Sequence, residues 1–291
     1  MKVIVFGKTG QLARSLADHK VDAIKATFLA RSECDLSDPT MIRSVLNTEK
    51  PDFVINAAAY TDVDQAEQEP EIANYINAIA PRLMAQWAAE HAAKLIHIST
   101  DFVFDGTGES PYKPEDKATP ACIYGKSKLK GEFEVMELAP KAAMIIRTAW
   151  VYSEYGNNFV TTMLRLMREH DSLSVVDDQR GSPTYAASLA RTIMQIISEG
   201  RFDPGIYHWT DRSNATWYEF AREIQQEALK AGLLKRTIPI NKISTDQYPT
   251  RAARPAYSVL DTTDLKNLLG RENVDWQINL RLALLRIANQ I

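Results

Sequence analysis

The stretch Lys2-Val3-Ile4-Val5-Phe6-Gly7-Lys8-Thr9-Gly10-Gln11-Leu12-Ala13 decides the fold of this 291-residue chain. Its first five residues are mostly apolar and β-branched, which predicts a buried strand, and an amphipathic segment ending near Asp18 predicts a helix. The glycines between them allow a tight turn, in which backbone N–H groups and the positive end of the helix meet a pyrophosphate. The spacing is G-x-x-G-x-x-A rather than G-x-G-x-x-G, so an ordinary tight turn is the alternative. We expect this turn to contact a cofactor through Gly7, Thr9, Gly10, Gln11 and Leu12.

A second strand, predicted at about 25–30, is where such a fold selects its cofactor. An acidic residue at the strand end binds the ribose 2′-hydroxyl of NAD, whereas a cation suits the 2′-phosphate of NADP. The strand is followed by Arg31, so we expect NADPH, with Glu33 leaving NADH as the alternative. Asp35 and Leu36 are expected near the adenine, although residues 35–39 also form a good helix N-terminal cap.

Two further predicted strands end in residues suited to a binding crevice. Residues 53–56 lead into small side chains that leave the backbone open to a ligand, and we expect contacts from Ala57, Ala58, Ala59 and Thr61. Residues 95–98 lead into Ser99 and Thr100, which places a hydroxyl at the active end of the sheet.

Tyr124 and Lys128 stand four residues apart, so on a helix they share one face. A free phenol has a pKa of about 10, and a nearby ammonium favours the phenolate and lowers that value. The pair therefore predicts a tunable proton donor. Because the chain has 11 tyrosines, a chance match on a solvated helix face is the alternative.

Composition restricts the classes of partner. The chain is 45% hydrophobic and 24% charged with a net charge of -3, which is ordinary for a globular protein and gives no reason to expect nucleic acid or membrane partners. Its two cysteines, Cys34 and Cys122, form no CxxC pair, so neither a disulfide framework nor a zinc site is indicated. The first strand begins at Lys2, leaving no room for a signal peptide, and no apolar run approaches 18 residues. We expect a cytoplasmic location.

The glycine turn and three later blocks occur in order and at βα spacing. The blocks are residues 56–64 (NAAAYTDVD), 99–106 (STDFVFDG) and 124–128 (YGKSK). Together they resemble the extended short-chain dehydrogenase/reductase family. Further similar blocks at 147–152, 156–160, 178–184 and 254–261 extend the resemblance to most of the chain.

The resemblance implies a reaction and a set of residues. The catalytic residues would be Thr100, Tyr124 and Lys128, and the last two would also contact the cofactor. The reaction would be NADPH-dependent reduction of the C4 ketone of dTDP-4-dehydro-β-L-rhamnose to dTDP-β-L-rhamnose, a precursor of cell-surface polysaccharide. The substrate residues would be Thr100, Asp101, Phe102, Tyr124, Trp150, Asn158 and Arg254.

The side-chain chemistry of three of these residues is suited to binding a nucleotide sugar. Trp150 at a strand end can present a flat apolar face to a deoxysugar, and Asn158 and Arg254 supply polar arms for a nucleotide diphosphate. Each has a structural alternative, because a Trp after a strand is often core and Arg254 precedes a proline that favours a turn.

We expect an α/β fold with a doubly wound parallel sheet, the Rossmann fold, and a smaller mixed α/β lobe. Residues 1–147 would form the dinucleotide-binding domain and residues 148–291 mainly the substrate lobe, with parts returning to the first domain. One long helix is predicted at 70–93 and others at about 184–200, 216–229 and 276–291. A strand is predicted at 205–209, and residues 233–257 are predicted to be irregular.

Two other functions stay open at this stage. Because Asp101 follows Thr100, the chain could be a nucleotide-sugar dehydratase or epimerase of the same superfamily, which would retain NAD. A non-catalytic NADP-binding regulator, like the β subunit of methionine adenosyltransferase, is the second alternative. Some family members are dimers bridged by Mg²⁺ through a carboxylate on the first helix. Here Arg14 and Ser15 occupy that helix, so we expect no metal and leave a homodimer open.

Overall fold

The computed structural model describes residues 1–19 and 21–290. Within them the strands are β1 (Lys2–Phe6), β2 (Lys25–Leu29), β3 (Phe53–Asn56), β4 (Lys94–Thr100), β5 (Ala143–Thr148), β6 (Val151–Tyr152), β7 (Leu173–Val176), β8 (Arg180–Gly181), β9 (Thr184–Tyr185), β10 (Gly205–His208), β11 (Ala215–Thr216) and β12 (Ile240–Ile243). The α-helices are α1 (Gln11–Asp18), α2 (Pro39–Glu49), α3 (Val63–Ala66), α4 (Pro70–Asn74), α5 (Ala80–Glu90), α6 (Ile123–Leu138), α7 (Phe159–Glu169), α8 (Ala186–Ser198), α9 (Trp217–Lys230), α10 (Thr263–Leu269) and α11 (Trp276–Ala288). None of the helices in these ranges combines the length and the apolar character needed to span a bilayer.

Six strands form one parallel sheet in the order β10-β5-β4-β3-β1-β2. The chain moves outward from β1 to β2 and then continues on the other side of β1 with β3. Such a reversal opens a crevice at the carboxyl ends of the two inner strands, where α/β folds bind ligands. The predicted fold class is confirmed.

Alternate side chains of the same strands build two separate cores. Ile4, Val54 and Leu95 face the layer that contains α2, α5 and α6. Val3 and Ile55 face the opposite layer, which contains α1, α8 and α10. Because both faces of the sheet are covered, the strands are continuous apolar runs rather than alternating ones.

The second half of the chain divides between this sheet and a smaller lobe. Strand β10 pairs with β5, and α8 and α10 cover one face of the sheet. The lobe has its own core, which draws on α7, α9 and α11 and includes Val160, Phe220 and Leu280. That this lobe binds the substrate stays a prediction.

The predicted long helix at 70–93 contains a π-helical turn at Tyr75–Ile79, between α4 and α5. The buried Asn77 in this turn donates to Ser127 Oγ of α6 at 2.9 Å and exchanges two hydrogen bonds with the backbone of Tyr60. Its carbonyl lies against Gly131 of α6, where a Cβ would collide with it. Gly131 lets α6 approach this π-turn closely, and apolar periodicity in the sequence does not reveal the turn.

The prediction that residues 233–257 are irregular is wrong for β12 and for a short 3₁₀ turn at Thr245–Gln247. Strand β12 pairs in parallel with β7, and only two of its four residues are partly buried. Its strand character comes from the partner rather than from its own composition. The predicted C-terminal helix is present as α11, and Ile291 lies outside the described residues.

A buried ion pair fixes α6 to the sheet. Arg147 on β5 donates to both carboxylate oxygens of Glu132 on α6, at 2.7 to 3.1 Å, and both side chains are nearly inaccessible. Ser99 Oγ on β4 donates to the same carboxylate at 2.5 Å. Helix α6 is thereby attached to two neighbouring strands.

Replacing Arg147 with Met should lower the free energy of unfolding by about 3–5 kcal/mol, because the Glu132 carboxylate would be left buried without its cation. Urea denaturation followed by circular dichroism measures the loss. The matched control is Arg165→Met, which breaks the exposed pair with Glu169 and should cost about 0.5 kcal/mol or less. Equal costs for the two variants would contradict the assigned role of the buried pair.

Candidate active site

A cleft of about 980 Å³ lies at the carboxyl ends of the parallel strands, between the sheet and the lobe. All but one of the site residues predicted from the sequence line it. They are Gly7, Thr9, Gly10, Gln11, Leu12, Arg31, Asp35, Leu36, Ala57, Ala58, Ala59, Thr61, Thr100, Asp101, Phe102, Tyr124, Lys128, Trp150 and Arg254. The exception is Asn158.

The glycine turn leaves the amino end of α1 open to this cleft. Gly7 has φ +110°, and a Cβ there would lie 3.1 Å from the Ala57 carbonyl oxygen. Gly10 caps α1 without a side chain, so the first N–H groups of the helix have no side-chain partner there. Gln11 ties this turn to the lobe, since its amide accepts from Ser153 Oγ at 2.9 Å and donates to the Val151 carbonyl at 3.4 Å.

At the end of β2 the cation Arg31 lines the cleft, whereas the carboxylate of Glu33 does not. Arg31 lines the cleft with an exposed side chain, held by Asp35 at 3.0 Å. Glu33 does not line the cleft, because its carboxylate accepts the Ala30 N–H and pairs with Lys8 at 3.2 Å. Asp38, rather than Asp35, caps α2. Asp35 accepts from the Ser37 N–H and hydroxyl, which lowers its pKa.

Thr100 and Tyr124 meet where β4 ends and α6 begins. The Thr100 hydroxyl lies beside the Tyr124 phenol and lowers its pKa, but burial raises that pKa by more. Thr100 Oγ1 also donates to Asp101 Oδ1 at 3.0 Å, and the ring of Phe102 meets the Tyr124 ring edge-on. Asp101 is buried, and burial raises the pKa of its carboxyl to about 6.

Lys128 lies on the same face of α6 but is directed at β4. Its Nζ donates to the Ile98 carbonyl at 2.7 Å and lies 3.4 Å from His97 Nε2. Burial lowers the pKa of Lys128 to about 8, while Glu132 raises it in part. The expectation that Lys128 lowers the pKa of Tyr124 is wrong, because burial raises that pKa and outweighs the other contributions.

The lobe contributes aromatic surface to the cleft. Trp150 has φ +46° and stacks on Trp217 with ring centroids 3.4 Å apart. Both indoles line the cleft, and Gly181 leaves room for that of Trp150. Trp217 was missed in the sequence because it starts α9 and belongs to none of the motifs.

The side chains of Arg254 and Asn158 differ in whether they can contact a ligand in the cleft. Arg254 lines the cleft mouth and pairs with Asp64 at 2.6 Å, which lowers the pKa of that carboxyl to about 2. Asn158 instead caps α7, accepting the Thr161 N–H and donating to the Ser153 carbonyl. The predicted ligand contact of Asn158 therefore has no support in this geometry.

Within residues 1–19 and 21–290, no cluster of three or more His, Cys, Asp or Glu side chains could hold a metal ion. On α1, the Arg14 guanidinium lies 3.9 Å from the centre of the Tyr155 ring, and Ser15 is buried. The expected absence of a bridging metal stays a prediction. Cys34 and Cys122 are buried free thiols whose pKa values are raised by burial.

Comparisons with known proteins cover nearly the whole chain. The family model described as "RmlD substrate binding domain" matches residues 1–289. A dTDP-4-dehydrorhamnose reductase of Aggregatibacter actinomycetemcomitans is 43% identical over 95% of this chain and 96% of that protein. The structure of a dTDP-4-dehydrorhamnose reductase of Bacillus anthracis in complex with NADP is 35% identical, with TM-score 0.91, and covers 98% of this chain and 99% of that one.

A more distant solved structure shares the fold alone. The UDP-glucose 4-epimerase of Thermotoga maritima, with UDP-glucose, has TM-score 0.79 at 18% identity over 100% of this chain and 99% of that one.

Asp101→Asn should change how stability depends on pH. The folded pKa of about 6 exceeds the unfolded value of about 3.9, so the folded state binds the proton more tightly and stability falls as pH rises between them. Asn keeps an acceptor for Thr100 and removes this loss. Relative to the parent, the variant should gain up to about 3 kcal/mol in free energy of unfolding between about pH 4 and pH 7.

Urea denaturation at several pH values measures this gain. Subtracting the parent curve removes the contribution of Asp211, another buried carboxyl whose pKa is raised to about 6. A constant difference between the two proteins across this range would show that Asp101 titrates normally.

Proposed function

We propose, from the premise that this chain belongs to the RmlD substrate binding domain family, that it reduces the C4 ketone of dTDP-4-dehydro-β-L-rhamnose to dTDP-β-L-rhamnose with NADPH. It thereby acts in dTDP-rhamnose biosynthesis. The observation that carries this function is the convergence of the Thr100 hydroxyl and the Tyr124 phenol in the cleft that the glycine turn also lines.

The residues present fit a dinucleotide. The amino end of α1, which has no side-chain cap, suits a pyrophosphate, and Gly7 lets the turn pack closely against the backbone of Ala57 and Ala58. Arg31 provides the cation that a 2′-phosphate needs, while Glu33 is held by Lys8. When bound, the nicotinamide would supply a hydride to the C4 carbon of the sugar.

The chain itself supplies the proton and stabilises the developing charge. Burial keeps the Tyr124 phenol protonated at neutral pH, so that it can donate to the C4 oxygen as that oxygen gains negative charge. Thr100 offers a second hydroxyl at the same point, which stabilises the charge once its proton turns from Asp101 Oδ1 to the C4 oxygen. Lys128 adds positive charge on the same helix face when it is protonated.

The lobe would bind the rest of the nucleotide sugar. Trp150 and Trp217 offer a flat apolar surface to a deoxysugar or a base, and Arg254 offers a guanidinium to a phosphate. Asp101 and Phe102 lie next to Thr100 and complete the wall beside the reacting carbon. A cytoplasmic location and a homodimer stay predictions.

The two alternatives have less support. The nucleotide-sugar epimerase shares the fold at low identity, whereas the dTDP-4-dehydrorhamnose reductases match nearly the full chain. A regulator without activity would not need Thr100, Tyr124 and Lys128 together in the cleft. Retention of NAD through purification, with no NADPH oxidised in the assay, would contradict the reductase.

Tyr124→Phe should lower turnover by about 10²- to 10⁴-fold, because a positioned proton donor contributes that much to rate. The ring and its packing against Phe102 are kept, so the KM for the nucleotide sugar should change little. NADPH absorbance with dTDP-4-dehydrorhamnose measures both quantities. The control is Tyr207→Phe, whose hydroxyl donates to Asp203 outside the cleft and which should keep parental turnover. Retained turnover in Tyr124→Phe would remove this residue from the mechanism.

Arg31→Ala should raise the KM for NADPH by roughly 10- to 100-fold, since a charge-assisted contact to the 2′-phosphate is worth about 1.5–3 kcal/mol. The KM for NADH, which lacks that phosphate, should stay within about twofold. Steady-state kinetics with both cofactors decides this, with Arg43→Ala on the exposed face of α2 as control. Parallel changes for the two cofactors would contradict the assignment.

A further inference from the structure

Three polar side chains form a buried row behind the cleft. Asn56 ends β3, His97 is its register partner on β4, and Lys128 reaches His97 from α6. Asn56 Nδ2 lies 3.0 Å from His97 Nδ1, and Lys128 Nζ lies 3.4 Å from His97 Nε2. All three are at most 1% exposed, and neither Asn56 nor His97 lines the cleft.

Hydrogen bonding determines which ring nitrogen of His97 carries the proton. The Ala58 N–H can only donate, and it lies 3.3 Å from Asn56 Oδ1, so the amide nitrogen of Asn56 faces the imidazole. That nitrogen also donates, which makes His97 Nδ1 an acceptor. Burial and the charge of Lys128 lower the pKa of His97 well below its ordinary value, so the ring is neutral and its single proton is on Nε2.

The Nε2–H group then points at the amine of Lys128. An ammonium has three donors and no lone pair, so it cannot accept this N–H, whereas a neutral amine can. The hydrogen bond from Lys128 to the Ile98 carbonyl is available to either form. The imidazole therefore opposes the charged form of the lysine.

Other ionisable groups around Lys128 act in both directions. On α6, Glu132 lies one turn along and raises the pKa of Lys128, although the carboxylate also serves Arg147 of β5. Tyr124 on α6 and Asp101 after β4 are buried groups on the cleft side. Since burial lowers the pKa of Lys128 to about 8, small changes in its surroundings shift its charge near neutral pH.

We propose that Asn56 and His97 are positioning residues that act through a fixed tautomer: they hold an N–H donor against the amine of Lys128 and so weaken its ammonium form. The proposal rests on the proposed function for the catalytic consequence of this charge. The tautomer is a property of the protein without substrate or cofactor, and it is tested separately.

Long-range ¹H–¹⁵N correlation spectra of protein labelled with [¹⁵N]histidine report the tautomer directly. The chain has five histidines, and His97→Gln assigns the relevant signals by their loss. The expected spectrum has the proton on Nε2 and a bare Nδ1. A proton on Nδ1, or a charged imidazolium, would overturn the proposal, and this result needs no folded Asn56 variant.

Asn56→Asp changes the tautomer with an isosteric side chain. Both carboxylate oxygens accept, so one keeps the Ala58 N–H while the other draws the His97 proton to Nδ1. His97 Nε2 then becomes an acceptor for the Lys128 ammonium. The basic limb of the pH profile of kcat/KM, measured with NADPH and dTDP-4-dehydrorhamnose, should move upward by at least about 1 pH unit.

The matched control is Asn47→Asp. Asn47 lies on α2, and its side chain accepts a hydrogen bond from the Trp87 indole N–H. This substitution should therefore leave the pH profile unchanged. If Asn56→Asp moves the proton to Nδ1 and the pH profile does not shift, the link from His97 to Lys128 is refuted. If the parent protein does not oxidise NADPH, the proposed function fails while the spectrum still decides the tautomer.

Discussion

The structure depends on the attachment of one helix to two strands through a charge pair that water does not reach. Arg147 and Glu132 join α6 to β5, and Ser99 adds β4 to the same carboxylate. A buried pair of this kind tolerates little change in geometry, because any loss of contact leaves a charge without solvent or partner. Tyr124 and Lys128 are carried on that helix, so their positions relative to Thr100 are set by a contact one to two turns away from the chemistry.

The cleft is assembled from segments that are distant in the chain and held across a domain boundary. Gln11 of the glycine turn contacts the loop after β6, and Asp64 in α3 holds Arg254 from the C-terminal segment. Each link joins an element of the first half of the chain to a segment of the second half. The geometry of the site therefore depends on these long-range contacts as much as on the motifs themselves.

The sequence predicted the parallel sheet and five of its six strands, β1 to β4 and β10, and all but one of the site residues that it predicted line the cleft. Apolar runs and glycine turns are local signals, which is why these predictions succeeded. Prediction from the sequence failed where contacts with another element of the fold determine the local structure or the role of a residue. Strand β12 is ordered by β7, the π-turn by the approach of α6, and the role of Trp217 by its stacking on Trp150. The prediction of a lowered pKa for Tyr124 failed for the same reason. Burial by the tertiary fold raises this pKa, and that effect outweighs a cation on the same helix face.

The indole stack of Trp150 and Trp217 gives the protein an intrinsic optical reporter. The two rings are nearly parallel, with an interplanar angle of 6°, and both face the ligand space. A base or sugar entering there changes the polarity around the rings directly. Tryptophan emission can therefore report whether a ligand enters this part of the cleft, in real time, with no dye attached and no turnover required.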